Sequence, residues 1–185
     1  MSAICRVRVD DRLIHGQVTV GWRQYLGYDG LWVVDDGVGQ DPFLGDVLRL
    51  AAPSGVEVQV HTVQEAIAAW ARLRSEGGGE GGAETAPRAR KILLLVKHPE
   101  TALKLFEEGM DQPLRERGLN VGNLAAKPGS RRAFQSISLT PEDVSALDAL
   151  AQRGVRITFQ PVPHGAEADW TALRSRFVRD ASSRP

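Results

Sequence analysis

The run Ile92-Leu93-Leu94-Leu95-Val96 constrains this chain more than any other feature. It is apolar at every position, so it has no face to turn to water. A strand of that kind belongs inside a parallel sheet, covered on both sides. The rest of the sequence agrees. Short Val-, Ile- and Leu-rich runs recur at Ile4 to Val9, Leu31 to Val34, Val56 to Val60, Leu119 to Val121, Phe134 to Ser138 and Val155 to Gln160. Between them, apolar residues fall at helical spacing in Gln17 to Leu26, Phe43 to Leu50, Val63 to Leu73, Thr101 to Phe106 and Val144 to Leu150. The alternation predicts an α/β fold, with an open, mostly parallel sheet and helices on both faces.

Helix ends support this reading. Thr62 with Glu65 forms a capping-box pattern, and Thr140-Pro141-Glu142-Asp143 supplies an N-cap, an N1 proline and an acidic first turn. Pro99 after His98 suits a helix start, and Gly154 suits a helix end. Ser75 to Ala89 differs: it holds five glycines, three glutamates and no aliphatic residue larger than alanine. It buries too little to offset its ordering entropy, so 75–89 reads as a flexible loop before a central strand. With 185 residues, the whole of 1–185 suits one domain.

Charge and composition exclude several roles. Lys plus Arg and Asp plus Glu are both 23, so the basic excess expected of a nucleic-acid partner is missing. No apolar run approaches the roughly 20 residues of a membrane span, and Met1 to Arg8 has no signal-peptide core. The lone Cys5 excludes an internal disulfide and a Cys-based zinc cluster. These features predict a cytoplasmic protein.

Ligands of open parallel sheets bind beyond the carboxyl ends of the strands. The first run is followed by Asp10-Asp11-Arg12-Leu13-Ile14-His15-Gly16-Gln17, the second by Asp35-Asp36-Gly37 and the fifth by Gly122-Asn123. The first loop gathers carboxylates, a guanidinium and an imidazole, then opens a helix at a glycine. That grouping suits phosphoryl transfer through histidine. A free imidazole is mostly neutral at neutral pH and is nucleophilic unaided. The helix N-terminus and Arg12 attract a dianionic phosphoryl group. Arginine and backbone amides then supply the charge that the loose transition state needs, without a metal or other cofactor. Asp10 would repel the phosphate unless it engaged Arg12 or the far ring nitrogen of His15.

The string Arg8-Val9-Asp10-Asp11-Arg12-Leu13-Ile14-His15-Gly16-Gln17-Val18 closely resembles the signature of the enzyme IIB component of the mannose/fructose/sorbose-type phosphoenolpyruvate-dependent sugar phosphotransferase system. Trp32-Val33-Val34-Asp35-Asp36, Ala51-Ala52-Pro53-Ser54-Gly55-Val56, Asn120-Val121-Gly122 and Leu139-Thr140-Pro141-Glu142-Asp143 extend the resemblance over most of the chain. The resemblance implies a sheet of about seven strands. It also implies a phosphohistidine carrier that accepts a phosphoryl group from a phosphorylated IIA protein or domain. The group is held at Nδ1 of the loop histidine and passed to a sugar hydroxyl during uptake with the membrane components IIC and IID. By match to the motif, His15 is the phosphorylated nucleophile, Arg12 stabilises the phosphoryl group and Asp10 supports the loop. The chain would then sit at the inner face of the membrane through IIC and IID. Its oligomeric state is left open, a homo-oligomer included. Asn123 stands where many relatives have a second glycine, the segment before Lys91 is longer than usual for the family, and the tail after His164 is less family-like.

Other residues have plainer readings. Asp11 reads as structural, and Asp35 and Asp36 read as strand-end and capping residues rather than Mg²⁺ ligands. Asn120 is balanced between holding the neighbouring loop and no such role. His61, His98 and His164 read as structural, Cys5 as a buried small apolar residue, and Trp22, Trp70 and Trp170 as core or interface. Leu13 and Ile14 are either loop packing or an exposed docking patch. Two competing functions stand beside the carrier. One is a regulatory phosphoacceptor in an incomplete phosphotransferase chain, without transport. The other is a Mg²⁺-dependent phosphoaspartate protein, but its acceptor Asp after the third strand is missing, because that run ends at Val60-His61.

Overall fold

The structure is a computed structural model and describes residues 3–76 and 91–182. In chain order the strands are β1 (Ile4–Asp10), β2 (Gly30–Val34), β3 (Glu57–His61), β4 (Ile92–Val96), β5 (Leu119–Asn123), β6 (Arg131–Phe134), β7 (Ile137–Leu139), β8 (Ile157–Phe159) and β9 (Ala168–Asp169). The helices are α1 (Arg23–Leu26), α2 (Asp36–Gly39), α3 (Pro42–Leu50), α4 (Val63–Glu76), α5 (Pro99–Glu107), α6 (Asp111–Arg117), α7 (Pro141–Gln152) and α8 (Trp170–Ser182). A π-helical segment, Gln17–Trp22, leads into α1.

Seven strands form one sheet in the order β3-β2-β4-β1-β5-β8-β9. All its pairings are parallel except that of β8 with β9. The Ile92–Val96 run lies inside the sheet between β1 and β2, and every residue of it is buried. The helices cover both faces, as expected. On the first face, α4 to α8 contribute Val63, Trp70, Leu105, Leu114, Leu147 and Trp170 to the larger apolar cluster. On the second, Val18 and Trp22 of the π-helical segment, Val38 of α2 and Leu48 of α3 pack against Leu31, Val33, Leu93 and Leu95.

The helix ends follow their sequence signals. Thr140 and Asp143 form a reciprocal capping box, and Thr62 and Glu65 exchange hydrogen bonds at the start of α4. Asp41 caps α3 through Phe43 N and Leu44 N.

Some expectations need correction. Phe134 to Ser138 is not a strand of the sheet but the bend of the β6–β7 hairpin, turning at Gln135 with φ of 42°. Cys5 is half-buried rather than buried. Ser75 and Glu76 are the last residues of α4, and the remainder of the expected 75–89 loop lies outside the described residues.

The topology positions the site. The chain leaves β1 through the second-face helix α1 toward β2. It leaves β5 toward β8 through α7 on the first face. Adjacent strands whose connections depart to opposite faces leave a crevice at their carboxyl ends. The loop after β1 fills that crevice.

Candidate active site

Asp10 ends β1 and is fully buried. Its carboxylate meets three cationic or potentially cationic groups: Arg8 Nη2 at 2.9 Å, Arg12 Nε at 3.2 Å and His15 Nε2 at 3.0 Å. The backbone N–H of Arg12 also donates to it at 3.3 Å. Burial pushes this carboxyl up, but the His15 hydrogen bond, the charge of Arg8 and the Arg12 hydrogen bond outweigh it and hold Asp10 down at about 2. The carboxylate is therefore ionised, and its charge is balanced by two guanidinium groups. Sequence reasoning asked Asp10 to engage either Arg12 or His15, and it engages both. His15 and Arg12 sit at the rim, their side chains 18% and 44% exposed, so both are reachable from outside while Asp10 is sealed.

The loop is fixed by its other residues. Asp11 accepts from Asn123 Nδ2 at 2.6 Å and from Ala125 N at 2.7 Å, which ties the loop after β1 to the end of β5. Asp11 is thus structural, and Asn123 lies beside the loop. Leu13 takes a φ of 55°, unfavourable for a residue with a branched side chain. Its side chain and that of Ile14 are buried in the second-face cluster, which holds the turn in place. They are loop packing, not a docking patch. After Gly16 the chain winds as a π-helix, and no side chain caps that end. Arg12 Nη2 also reaches Gln17 Oε1 at 3.4 Å.

Beneath Asp10 lies a residue whose role sequence reasoning missed. Arg8 is fully buried and donates to Asp10, to Asn120 Oδ1, and to the carbonyls of Gln160 and Pro161, each at 3.1 Å. Its guanidinium lies over the Trp22 ring at 4.8 Å. Burial lowers its pKa and Asp10 opposes that. A buried arginine still keeps its proton at neutral pH. A Cβ at position 122 would stand 1.9 Å from the guanidinium carbon of Arg8, so Gly122 leaves the space that Arg8 fills. The signal was present in the sequence: a charged residue alternating with valines in a central strand has nowhere to go but a buried partner.

Other candidates resolve more simply. Asn120 joins Arg8 to the Gln160 carbonyl and so helps hold the neighbouring loop. Asp35 caps α2 through Val38 N, and Asp36 accepts from Val63 N, so both act as backbone caps. His61 packs edge-on against Trp32, and His164 edge-on against Tyr25.

An open parallel sheet, with an imidazole held by a charge-balanced carboxylate beyond the carboxyl end of a central strand, defines a doubly wound α/β protein. The comparisons sharpen that class. Residues 4–183 match the family described as "PTS system sorbose subfamily IIB component". The sorbose-specific EIIB component of Lacticaseibacillus casei is 31% identical over 166 residues, covering 90% of this chain and 92% of that one. The sorbose-specific EIIB component of Klebsiella pneumoniae is 30% identical over 159 residues, covering 86% and 87%. Among solved structures, the IIBSor domain of the sorbose permease from Klebsiella pneumoniae superposes with a TM-score of 0.79 at 26% identity, covering 94% of this chain and 96% of that one. The chain belongs to the sorbose subfamily of phosphotransferase-system IIB components. It is a phosphotransferase that takes a phosphoryl group from IIA and transfers it to sugar, working with the membrane partners IIC and IID. The comparisons favour this over the regulatory alternative. Among the described residues no helix is long and apolar enough to cross a membrane.

Proposed function

We propose that His15 is the residue that carries the phosphoryl group, bonded at Nδ1, with Arg12 holding the phosphoryl oxygens and Asp10 fixing the ring. The contact of His15 Nε2 with the buried Asp10 carboxylate, 3.0 Å, carries this reading. An ionised carboxylate can only accept, so Nε2 holds the ring proton and Nδ1 keeps its lone pair. Nδ1 attacks the phosphorus of the phosphohistidine on IIA, and the new P–N bond forms as the donor's breaks. In the second step a sugar hydroxyl oxygen attacks the same phosphorus. The His15 P–N bond breaks, its electron pair returns to Nδ1, and the hydroxyl proton passes to solvent. While phosphorylated, the ring bears positive charge, which Asp10 stabilises. Pairing with Arg8 and Arg12 cancels the repulsion that Asp10 would otherwise exert on the phosphate.

This reading places the chain in the cytoplasm, at the inner membrane face when bound to IIC and IID. It extends to a homo-oligomer, supported by Phe43, Leu44, Val47 and Leu50, which α3 leaves exposed.

The test is incubation of the purified chain with phosphoenolpyruvate, the general phosphotransferase proteins and a IIA protein, read by intact mass and phosphosite mapping. Phosphate is expected on His15. His15→Ala abolishes acceptance with circular dichroism unchanged, and Arg12→Ala slows it by about 10²–10³-fold, the usual effect of losing one transition-state donor. Label on the His15→Ala variant overturns the assignment. Sedimentation of the same preparation reads self-association, and a monomer at every concentration removes that part.

A further inference from the structure

The same end of the sheet holds a second polar cluster that phosphoryl transfer does not use. His98 follows β4 and opens α5, Glu100 lies in the first turn of α5, and Asp143 lies in the first turn of α7. One ligand-type atom from each lies within 4.8 Å of the others. Asp143 is 1% exposed. Its Oδ2 accepts from Thr140 N within the capping box, while its Oδ1 has no hydrogen-bond partner. Glu100 Oε2 and His98 Nδ1 are buried atoms that also lack one. Each of the three clustered residues thus holds a buried polar atom without a partner, which is costly to leave so, and a common ligand relieves that cost.

We infer that His98, Glu100 and Asp143 form a divalent-cation site for a borderline metal ion such as Zn²⁺. One imidazole nitrogen with two carboxylate oxygens is a donor set suited to Zn²⁺ and poor for Mg²⁺ or Ca²⁺, which prefer oxygen alone. Tetrahedral ligands about 2.1 Å from Zn²⁺ stand about 3.4 Å apart, so the cluster closes by about 1.4 Å at most to bind. His98 and Glu100 are only half-buried and have the freedom to do so. The N-termini of α5 and α7 oppose a cation with about half a positive charge each, which leaves about one net negative charge from the two carboxylates. A groove of 380 Å³ lined by Glu100, Leu103, Pro141, Glu142, Ser145 and Ala146 adjoins the cluster through Glu100. Bound metal ties the start of α5 to the start of α7.

The test titrates the full chain, stripped by chelator, with ZnCl₂ by calorimetry, and collects anomalous scattering at the zinc edge from crystals. The His15→Ala background removes the His15–Asp10 imidazole–carboxylate pair as a competing site. A single equivalent binds in wild type and in His15→Ala, at the cluster, and raises the melting temperature. His98→Ala and Glu100→Gln each weaken binding by more than about tenfold and lose the thermal shift. Asp143 is left intact because it caps α7. Failure to bind zinc, binding by either variant at wild-type affinity, or a water alone at the cluster overturns the inference.

Discussion

Along β1, β5 and β8, the residues facing the first side of the sheet are Val7, Val9, Leu119, Val121, Ile157 and Phe159. Those alternating with them toward the second side are Arg8, Asp10, Asn120, Gly122 and Thr158, with Gln160 just beyond. The first face is apolar across every strand from β2 to β8. The second is apolar beneath β3, β2 and β4, and turns into a buried polar network under β1, β5 and β8. The covering helices differ in the same sense. Every exposed large apolar side chain among the described residues lies on second-face helices: Val20, Tyr25, Phe43, Leu44, Val47 and Leu50. One face holds the fold together by burial. The other holds the loop after β1 by charge pairing and leaves apolar surface outside.

The difference can be broken most forcefully at Arg8. Arg8→Met keeps the stem and removes the guanidinium. Asp10 then stays buried with one fewer counter-charge, and Asn120, Gln160 and Pro161 lose a donor. Removing one partner of a buried pair costs about 3–5 kcal/mol. Urea unfolding reads the loss. Phosphoryl acceptance falls as well, because Asp10 no longer holds the His15 ring firmly. Wild-type stability in Arg8→Met would mean that burial alone holds the second face.

The matching change on the first face is Leu147→Ala. Leu147 is fully buried against the larger cluster. The cavity costs about 2–5 kcal/mol. Here the rate of phosphoryl acceptance per folded molecule stays at the wild-type value, because the loop is tied by hydrogen bonds and ion pairs to Arg8, Gln17, Asn123 and Ala125 rather than to Leu147. A lowered rate at equal folded fraction would show that the faces are coupled, and the comparison would fail.

The sequence made the first face legible and the second only in part. Alternating valines and leucines announce strands, and Thr140-Pro141-Glu142-Asp143 announces α7, because these signals are local. The loop from Asp10 to His15 was also legible, because its groups are adjacent in the chain. Arg8 was not assigned a role, since its partners Asn120, Gln160 and Pro161 lie more than a hundred residues away and only strand pairing brings them together. The same reason hides the His98–Glu100–Asp143 cluster: His98 reads as structural until α7 is docked against α5. The helix α6 escaped because its seven residues bury only Pro113 and Leu114, too few to show a period. The β6–β7 hairpin was read as one run because its bend at Gln135-Ser136 carries no glycine or proline.

The smallest effect is the one that separates charge pairing from burial by acid. Asp10 titrates at about 2 in the folded protein, below the ~3.9 of an unfolded chain. A carboxyl depressed on folding adds stability that is fully present above the unfolded value and is lost as pH falls toward the folded one. The window is therefore pH ~4 down to ~2, and the loss is on the order of 2 kcal/mol. Asp10→Asn cannot titrate there. It is less stable than wild type at neutral pH, and the gap narrows through that window. Leu147→Ala removes only apolar contact, so its gap from wild type keeps a constant width over the same range. Urea midpoints measured from pH ~5 to ~2 give both curves. If Asp10→Asn tracked wild type in parallel, the paired cations would not be what holds the carboxylate, and the second face would need another account.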